Sequence, residues 1–193
     1  MIQALNNGGY TSARLKTQTL FDQAYGRVEA SIQLPPGTAQ GSGLWPAFWM
    51  LGSNISNVGW PVCGEIDIME NIGQYNTATQ NGGHIHGPVA PANGDYNGGN
   101  GVGSTFTFPA GQAANTGFHL YAAEWNPTSI TFYVDGTAYQ TLTAASLPGG
   151  GQWVFNHPFF IILNLAVGGA VGGPVGASFP QQMLVDYVRV YTN

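Results

Sequence analysis

Short runs in which apolar and polar residues alternate, each closed by a turn signal, recur along the whole of this 193-residue chain. They cover 27–34, 45–51, 65–69, 120–125, 130–134, 159–165 and 184–191. Alternation of period two marks a strand with one buried and one wet face, because successive side chains point to opposite sides. Between the runs stand Pro35-Pro36-Gly37, Asn81-Gly82-Gly83, Asp135-Gly136 and Pro148-Gly149-Gly150-Gly151. Asp-Gly tolerates the positive φ angles of a two-residue turn, so 130–140 is expected to fold as a hairpin about Asp135-Gly136. No stretch sustains helical spacing of apolar residues over a helix's length. Short strands at regular spacing imply an all-β sandwich or barrel. Neither a repeat nor a linker divides the chain, and 1–193 is read as one domain. The glycine-rich stretch 87–103 reads as a long loop bordering a cleft.

Only 7% of the residues are charged, against about 25% in an ordinary globular protein. The surface must therefore be built from Gly, Asn, Ser, Thr and Gln, while abundant Val, Ile, Phe and Tyr fill a core and exclude disorder. Net charge is −5, and the only strong cations are Arg14, Lys16, Arg27 and Arg189. Nucleic acid and anionic membranes are poor partners for such a surface, whereas a neutral polymer suits it. No run approaches the roughly 18 apolar residues of a membrane span, and Met1-Ile2-Gln3-Ala4-Leu5 lacks the charged start of a signal peptide. The single cysteine, Cys63, excludes an intrachain disulfide and supplies no zinc motif; it reads as a small buried hydrophobe.

Against this sparse charge, three of the nine acidic residues fall within Gly64-Glu-Ile-Asp-Ile-Met-Glu70. Glu65, Asp67 and Glu70 alternate with Ile66, Ile68 and Met69, the pattern of a strand with an apolar face and an acidic one. Like charges on one face repel, and burying them costs several kcal/mol or shifts their pKa values, so a fold has little structural reason to gather them. Glu65 and Asp67 share a face, whereas Glu70 stands at the wrong parity. One extra residue, a β-bulge near Met69, brings all three to one side. The glutamates are then about four strand steps apart, ~13 Å along the backbone. Inward-leaning side chains allow the ~5–5.5 Å carboxyl separation of a retaining glycosidase, where an inverting one needs ~6.5–9.5 Å. A solvated acidic edge or a cation site are the competing readings.

Trp45 and Trp49, four apart on a strand, face the same side, and Trp60 precedes the acidic strand; flat indoles suit the apolar faces of sugar rings. Core packing is the competing role for each tryptophan, and Trp125 and Trp153 are assigned to it. His84 and His86, at i and i+2, invite a metal, but no spacing supplies further ligands, so no catalytic metal is expected. His119 reads as structural, and His157 is left without a role.

The acidic strand, with Gly59-Trp-Pro-Val-Cys-Gly64 before it, resembles the active-site strand of glycoside hydrolase family 16 and, within it, the laminarinase-like endo-β-1,3-glucanases with the bulged motif. Further similar segments follow in the family's order: Tyr10-Thr-Ser-Ala-Arg-Leu-Lys-Thr17, Gly26-Arg-Val-Glu-Ala30, Gly43-Leu-Trp-Pro-Ala-Phe-Trp-Met-Leu-Gly52, Phe118-His-Leu-Tyr-Ala-Ala-Glu-Trp125, Phe132-Tyr-Val-Asp-Gly136, Leu163-Asn-Leu-Ala-Val-Gly-Gly169 and Val185-Asp-Tyr-Val-Arg-Val-Tyr191. The resemblance implies a β-jelly roll of two curved antiparallel sheets, of the concanavalin A type. It implies retaining endo-hydrolysis of β-1,3-glucans with no catalytic cofactor, in a secreted monomer.

By the same resemblance Glu65 is the nucleophile and Glu70 the acid/base, its pKa raised by two anionic neighbours. Asp67 hydrogen-bonds the nucleophile, Trp45, Trp49 and Trp60 meet the glucan, and His86 faces the substrate or Asp67. Asn164 either approaches the cleft or pairs within the sheet. Mixed-linkage glucans and agar-type galactans are alternative substrates, and a glucan-binding module without catalysis is the alternative function. Two departures stand out. Relatives carry several dozen residues before the segment at Tyr10, so exposed sheet edges, and oligomers formed through them, are an expectation here. Gly168-Gly-Ala-Val-Gly-Gly-Pro174 lacks an aromatic that relatives carry. A structural calcium in relatives uses the aspartate aligned with Asp186 and carbonyls from that earlier segment.

Overall fold

The computed structural model describes residues 1–192, and strands dominate them. In chain order these are β1 (Ile2–Asn6), β2 (Tyr10–Thr11), β3 (Arg14–Lys16), β4 (Gly26–Gln33) and β5 (Leu44–Gly52). There follow β6 (Glu65–Glu70), β7 (Gln80–His86), β8 (Pro88–Val89), β9 (Gly94–Asp95) and β10 (Val102–Thr107). The last are β11 (His119–Asn126), β12 (Ser129–Val134), β13 (Thr137–Thr143), β14 (Phe159–Val167) and β15 (Gln181–Tyr191). Among the described residues no helix is long and apolar enough to cross a membrane.

A six-stranded sheet runs β10-β7-β6-β5-β14-β3 and a seven-stranded one β13-β12-β11-β4-β15-β1-β2. Neighbours pair antiparallel throughout, and the sheets enclose one core as a β-jelly-roll sandwich. Period-two alternation supplies that core. Phe48, Met50 and Ile66 come from the first sheet and Ile32, Tyr121, Trp125 and Phe132 from the second, all at most 2% exposed. The Trp125 and Phe159 rings meet edge-on at 6.2 Å across the layer. A fully buried side chain of this size contributes about 1.5–3 kcal/mol.

The expected strands are present, with ends moved by no more than three residues. The hairpin turns at Asp135 and Gly136, with φ of 49° and 78°, and brings Val134 opposite Thr137. Stretch 87–103 is more structured than a plain loop: β8 and β9 make a small hairpin, and β10 starts at Val102. The Val-Gly-Ser-Thr-Phe-Thr sequence of β10 alternates poorly because it is a largely exposed edge strand. Residues ahead of Tyr10 also have a place. Ile2 pairs with Met183, and Ile2 and Ala4 are buried. The edges beyond, β2 and β3, are two and three residues long, short enough to offer little template for edge pairing.

Candidate active site

The outer face of the six-stranded sheet carries the site. Along β5, Leu44, Phe48 and Met50 go to the core, so Trp45, Ala47 and Trp49 line the opposite side. The neighbouring β6 is entered at Gly64, whose φ is +73° and where a Cβ would sit 3.0 Å from the Phe159 ring. Its pairing with β5 sets Trp49 opposite Asp67 but Phe48 opposite Met69, leaving Ile68 as the extra residue. The shift recurs against β7 between Asp67 and Glu70. Ile68 and Met69 consequently both enter the core, and Glu70 returns to the side of Glu65 and Asp67. The bulge predicted from parity is there, and it unites the three carboxylates.

The two glutamates each accept an indole hydrogen bond, and Asp67 Oδ2, which accepts no hydrogen bond, has an ion-pair contact. Trp60 Nε1 donates to Glu65 Oε2 at 2.8 Å, and Trp45 Nε1 donates to Glu70 Oε1 at 2.8 Å. His86 Nε2 lies 3.2 Å from Asp67 Oδ2, and His84 Nδ1 lies 3.7 Å from Glu70 Oε2. Trp49 Nε1 donates to Asn164 Oδ1 at 2.7 Å, so Asn164, buried on β14, faces the cleft rather than pairing within the sheet alone. Trp60 is 49% exposed, too open for a core role. A cleft of about 520 Å³ passes Trp45, Trp60, Glu65, Glu70, Tyr75 and His86, and a smaller depression beside it is lined by Arg14, Trp49, Asp67 and Asn164. All eight residues expected at the acidic cluster or against substrate thus meet here.

One electrostatic feature was not expected from the sequence: the Glu65 carboxyl is pushed well up, first through loss of water and then through the Asp67 charge. Glu65 sits at the cleft floor beside Asp67, and that placement was hidden from the spacing alone. Burial by itself would lower His86, but contacts with Asp67 and Asp95 and the charge of Glu65 outweigh it and push the imidazole up to about 11. His86 is therefore an imidazolium at neutral pH. Burial holds the Cys63 thiol at about 11, protonated and inert.

Asp95, which sequence reasoning did not single out, takes His86 Nδ1 at 2.6 Å. Its only signal was an acidic residue in the glycine-rich stretch beside the cleft, in a chain with few charges. Tyr75, Gly99 and Asn100 in the wall carried none.

The remaining candidates lie elsewhere. Asp186 is exposed on β15, at a register break between Val185 and Tyr187. Calcium takes six to eight oxygens, and Asp186 joins no group of three or more metal-ligating side chains among the described residues. His119 bonds Asp135 Oδ2 at 2.6 Å and the Ala113 carbonyl, a structural role. His157 stacks on Phe159 at 4.8 Å. Trp125 is buried as expected; Trp153 is half-buried, packing edge-on against Phe155 and donating to the Pro127 carbonyl.

Comparison with known proteins agrees with this geometry. The model of glycosyl hydrolases family 16 matches residues 3–189. A beta-glucanase of Rhodothermus marinus is 40% identical over 191 residues, covering 94% of this chain and 62% of its own length. The chain thus spans less than two thirds of that relative. The laminarinase catalytic domain of Thermotoga maritima MSB8 superposes with a TM-score of 0.84 at 40% identity, over 100% of this chain and 76% of that one. The endo-β-1,3-glucanase of Pyrococcus furiosus gives 0.83 at 44% identity, over 99% and 73%. With an ordered match from end to end and a bulged acidic strand in a jelly-roll cleft, this chain belongs to glycosyl hydrolases family 16.

Proposed function

We propose that the chain hydrolyses internal β-1,3-glucosidic bonds of glucans with retention of anomeric configuration. The observation that carries this reading is the bulge in β6, which sets two glutamates on either side of Asp67 on one cleft floor. In this reading Glu65 attacks the anomeric carbon and forms a glycosyl-enzyme, while Glu70 gives its proton to the departing oxygen. Water then enters, Glu70 takes a proton from it, and Glu65 leaves. Attack needs Glu65 ionised, against its burial and the Asp67 charge. The His86 imidazolium works in the opposite direction, lowering the cost of that charge, and the Trp60 indole hydrogen bond supports the same oxygen. Asp67 stands between nucleophile and cation and orients both.

Trp45, Trp49 and Trp60 offer aromatic faces along the groove, and Asn164 fixes the Trp49 ring. A neutral sugar polymer accords with a cleft in which, among the described residues, every ion pair to a carboxylate comes from a histidine. Such a polymer is too large to cross a membrane, so the protein would meet it outside the cell. The test is release of new reducing ends from laminarin, barley β-glucan, agarose and κ-carrageenan beside a Glu65→Gln control. Release from laminarin, abolished in the control, is the expected result. Preference for barley β-glucan or agarose would move the substrate class, and glucan binding without release would make the chain a binding module.

A further inference from the structure

Asp95 is a buried carboxylate behind His86, off the cleft surface, for which the steps above have no use. Its side chain is 3% exposed, and both of its oxygens are engaged. Oδ2 meets His86 Nδ1 at 2.6 Å, and Oδ1 accepts the Gly87 backbone N–H at 3.1 Å. The residues that follow it are tied down twice. The Tyr96 hydroxyl donates to the Gln152 carbonyl, and Asn97 Nδ2 donates to the Gly101 carbonyl. Gly101 itself presses on the imidazole: at φ +66°, an added Cβ would lie 2.8 Å from His86 Cε1. The ring is thus held by a charge on one edge and by backbone close against it.

Resting on the hydrolase reading, we propose that Asp95 is a positioning residue that acts through His86. It fixes the ring with Nδ1–H toward itself, so that Nε2–H faces Asp67. A ring nitrogen's role is set by the hydrogen bond the other nitrogen makes. Without Asp95, the imidazole is free to present a bare Nε2 to Asp67, and lone pairs would then meet where a hydrogen bond belongs.

The consequence is electrostatic. His86 is faced by Asp67 and Glu65 from β6 and by Asp95 from β9; the Trp60 indole at 6.0 Å is the aromatic neighbour. His84, on the same strand, is turned to Glu70. No lysine or arginine pairs with these carboxylates among the described residues, so His86 is the cation that lets Glu65 and Asp67 stand side by side as anions. With Asp95 removed, the imidazolium loses its proton at a lower pH. Above that pH Glu65 must ionise beside Asp67 without a neighbouring cation, which slows attack. The ratio of variant to wild-type kcat, in which the loss of the Glu70 acid proton common to both cancels, should therefore fall as pH rises, and affinity for glucan should stay, because Asp95 touches no substrate-lining face of the cleft.

The experiment pairs two readouts. Nitrogen-15 NMR of the wild-type chain should show both His86 ring nitrogens protonated through pH 9. In Asp95→Asn, which keeps the side-chain size and the oxygen that accepts from Gly87, the His86 midpoint should fall by about 1–3 pH units, the range for losing one adjacent carboxylate. Relative to wild type, kcat on laminarin should be nearly unchanged below the variant's His86 midpoint and drop about tenfold above it, with KM within about twofold throughout. A wild-type His86 that titrates near the ordinary value of about 6.5 overturns the proposal. So does an Asp95→Asn enzyme whose kcat falls equally at every pH, since a mere loop tie would do that. If the variant does not fold, the wild-type titration still decides. Absence of glucanase activity in the wild type would sink the hydrolase reading while leaving the NMR result legible.

Discussion

The two faces of the sandwich each hold a cluster of carboxylates, and they are built in opposite ways. On the seven-stranded sheet, Arg27 bonds Glu29 and Glu124 at 2.8 Å each, and the hydroxyls of Tyr191 and Tyr133 complete the set. The Arg27 hydrogen bond holds Glu124 below the ordinary glutamate range. On the six-stranded sheet, the ion-pair contacts of Glu65, Asp67, Glu70 and Asp95 among the described residues are with histidines, His84 and His86, and Glu65 is pushed up. Arg14, at the same cleft, lies over the Trp49 ring at 5.3 Å instead of pairing with a carboxylate. A strong permanent cation makes acids quiet and stabilising. Withholding it leaves Glu65 holding its proton well above the ordinary glutamate range. Residue type is the same in both clusters; the partner decides what it does.

That contrast breaks if the two clusters respond alike to mutation. The largest effect belongs to Glu65→Gln, with activity expected to fall by roughly three orders of magnitude or more. The same change should raise Tm. The Glu65 carboxyl binds its proton more tightly folded than unfolded. Its stabilising contribution is present at low pH and lost as pH rises from the ordinary value of about 4.3 through the raised one. Melting at pH 8 should therefore show the gain and melting at pH 4 should not. Next comes Arg27→Met, which leaves Glu29 buried without its cation. A loss of about 2 kcal/mol is expected, or roughly 4–8 °C in Tm for a chain of this size, with kcat unchanged. Glu124→Gln is the smallest: exposure and screening limit it to less than about 1 kcal/mol. Its sign is opposite to that of Glu65, since a lowered carboxyl stabilises above the ordinary value and loses that contribution as pH falls through the lowered one. Destabilisation by Glu65→Gln at pH 8 would erase the comparison.

Much of this was legible beforehand, for identifiable reasons. Period two gave the strands, and Asp135-Gly136 gave the hairpin, because both are local rules. The bulge in β6 followed from parity, since three carboxylates cannot share a face without it. Edge strand β10 escaped because Gly103, Ser104 and Thr105 bury nothing and so carry no alternation. Asp95 escaped because its partner, nine residues away, is reached by a small hairpin rather than by any regular spacing. The raised Glu65 carboxyl also escaped. Charge spacing along a strand says which acids are neighbours, but not how much water Glu65 loses in the cleft.

The most direct test of the account is the configuration of the first sugar released. An anomer-resolved proton NMR time course on laminarin should show the β-anomer appearing first and the α-anomer growing only by mutarotation, as a glycosyl-enzyme on Glu65 requires. Initial α-product would mean that water, not Glu65, attacks the anomeric carbon, and would contradict the role assigned to the bulged acidic strand.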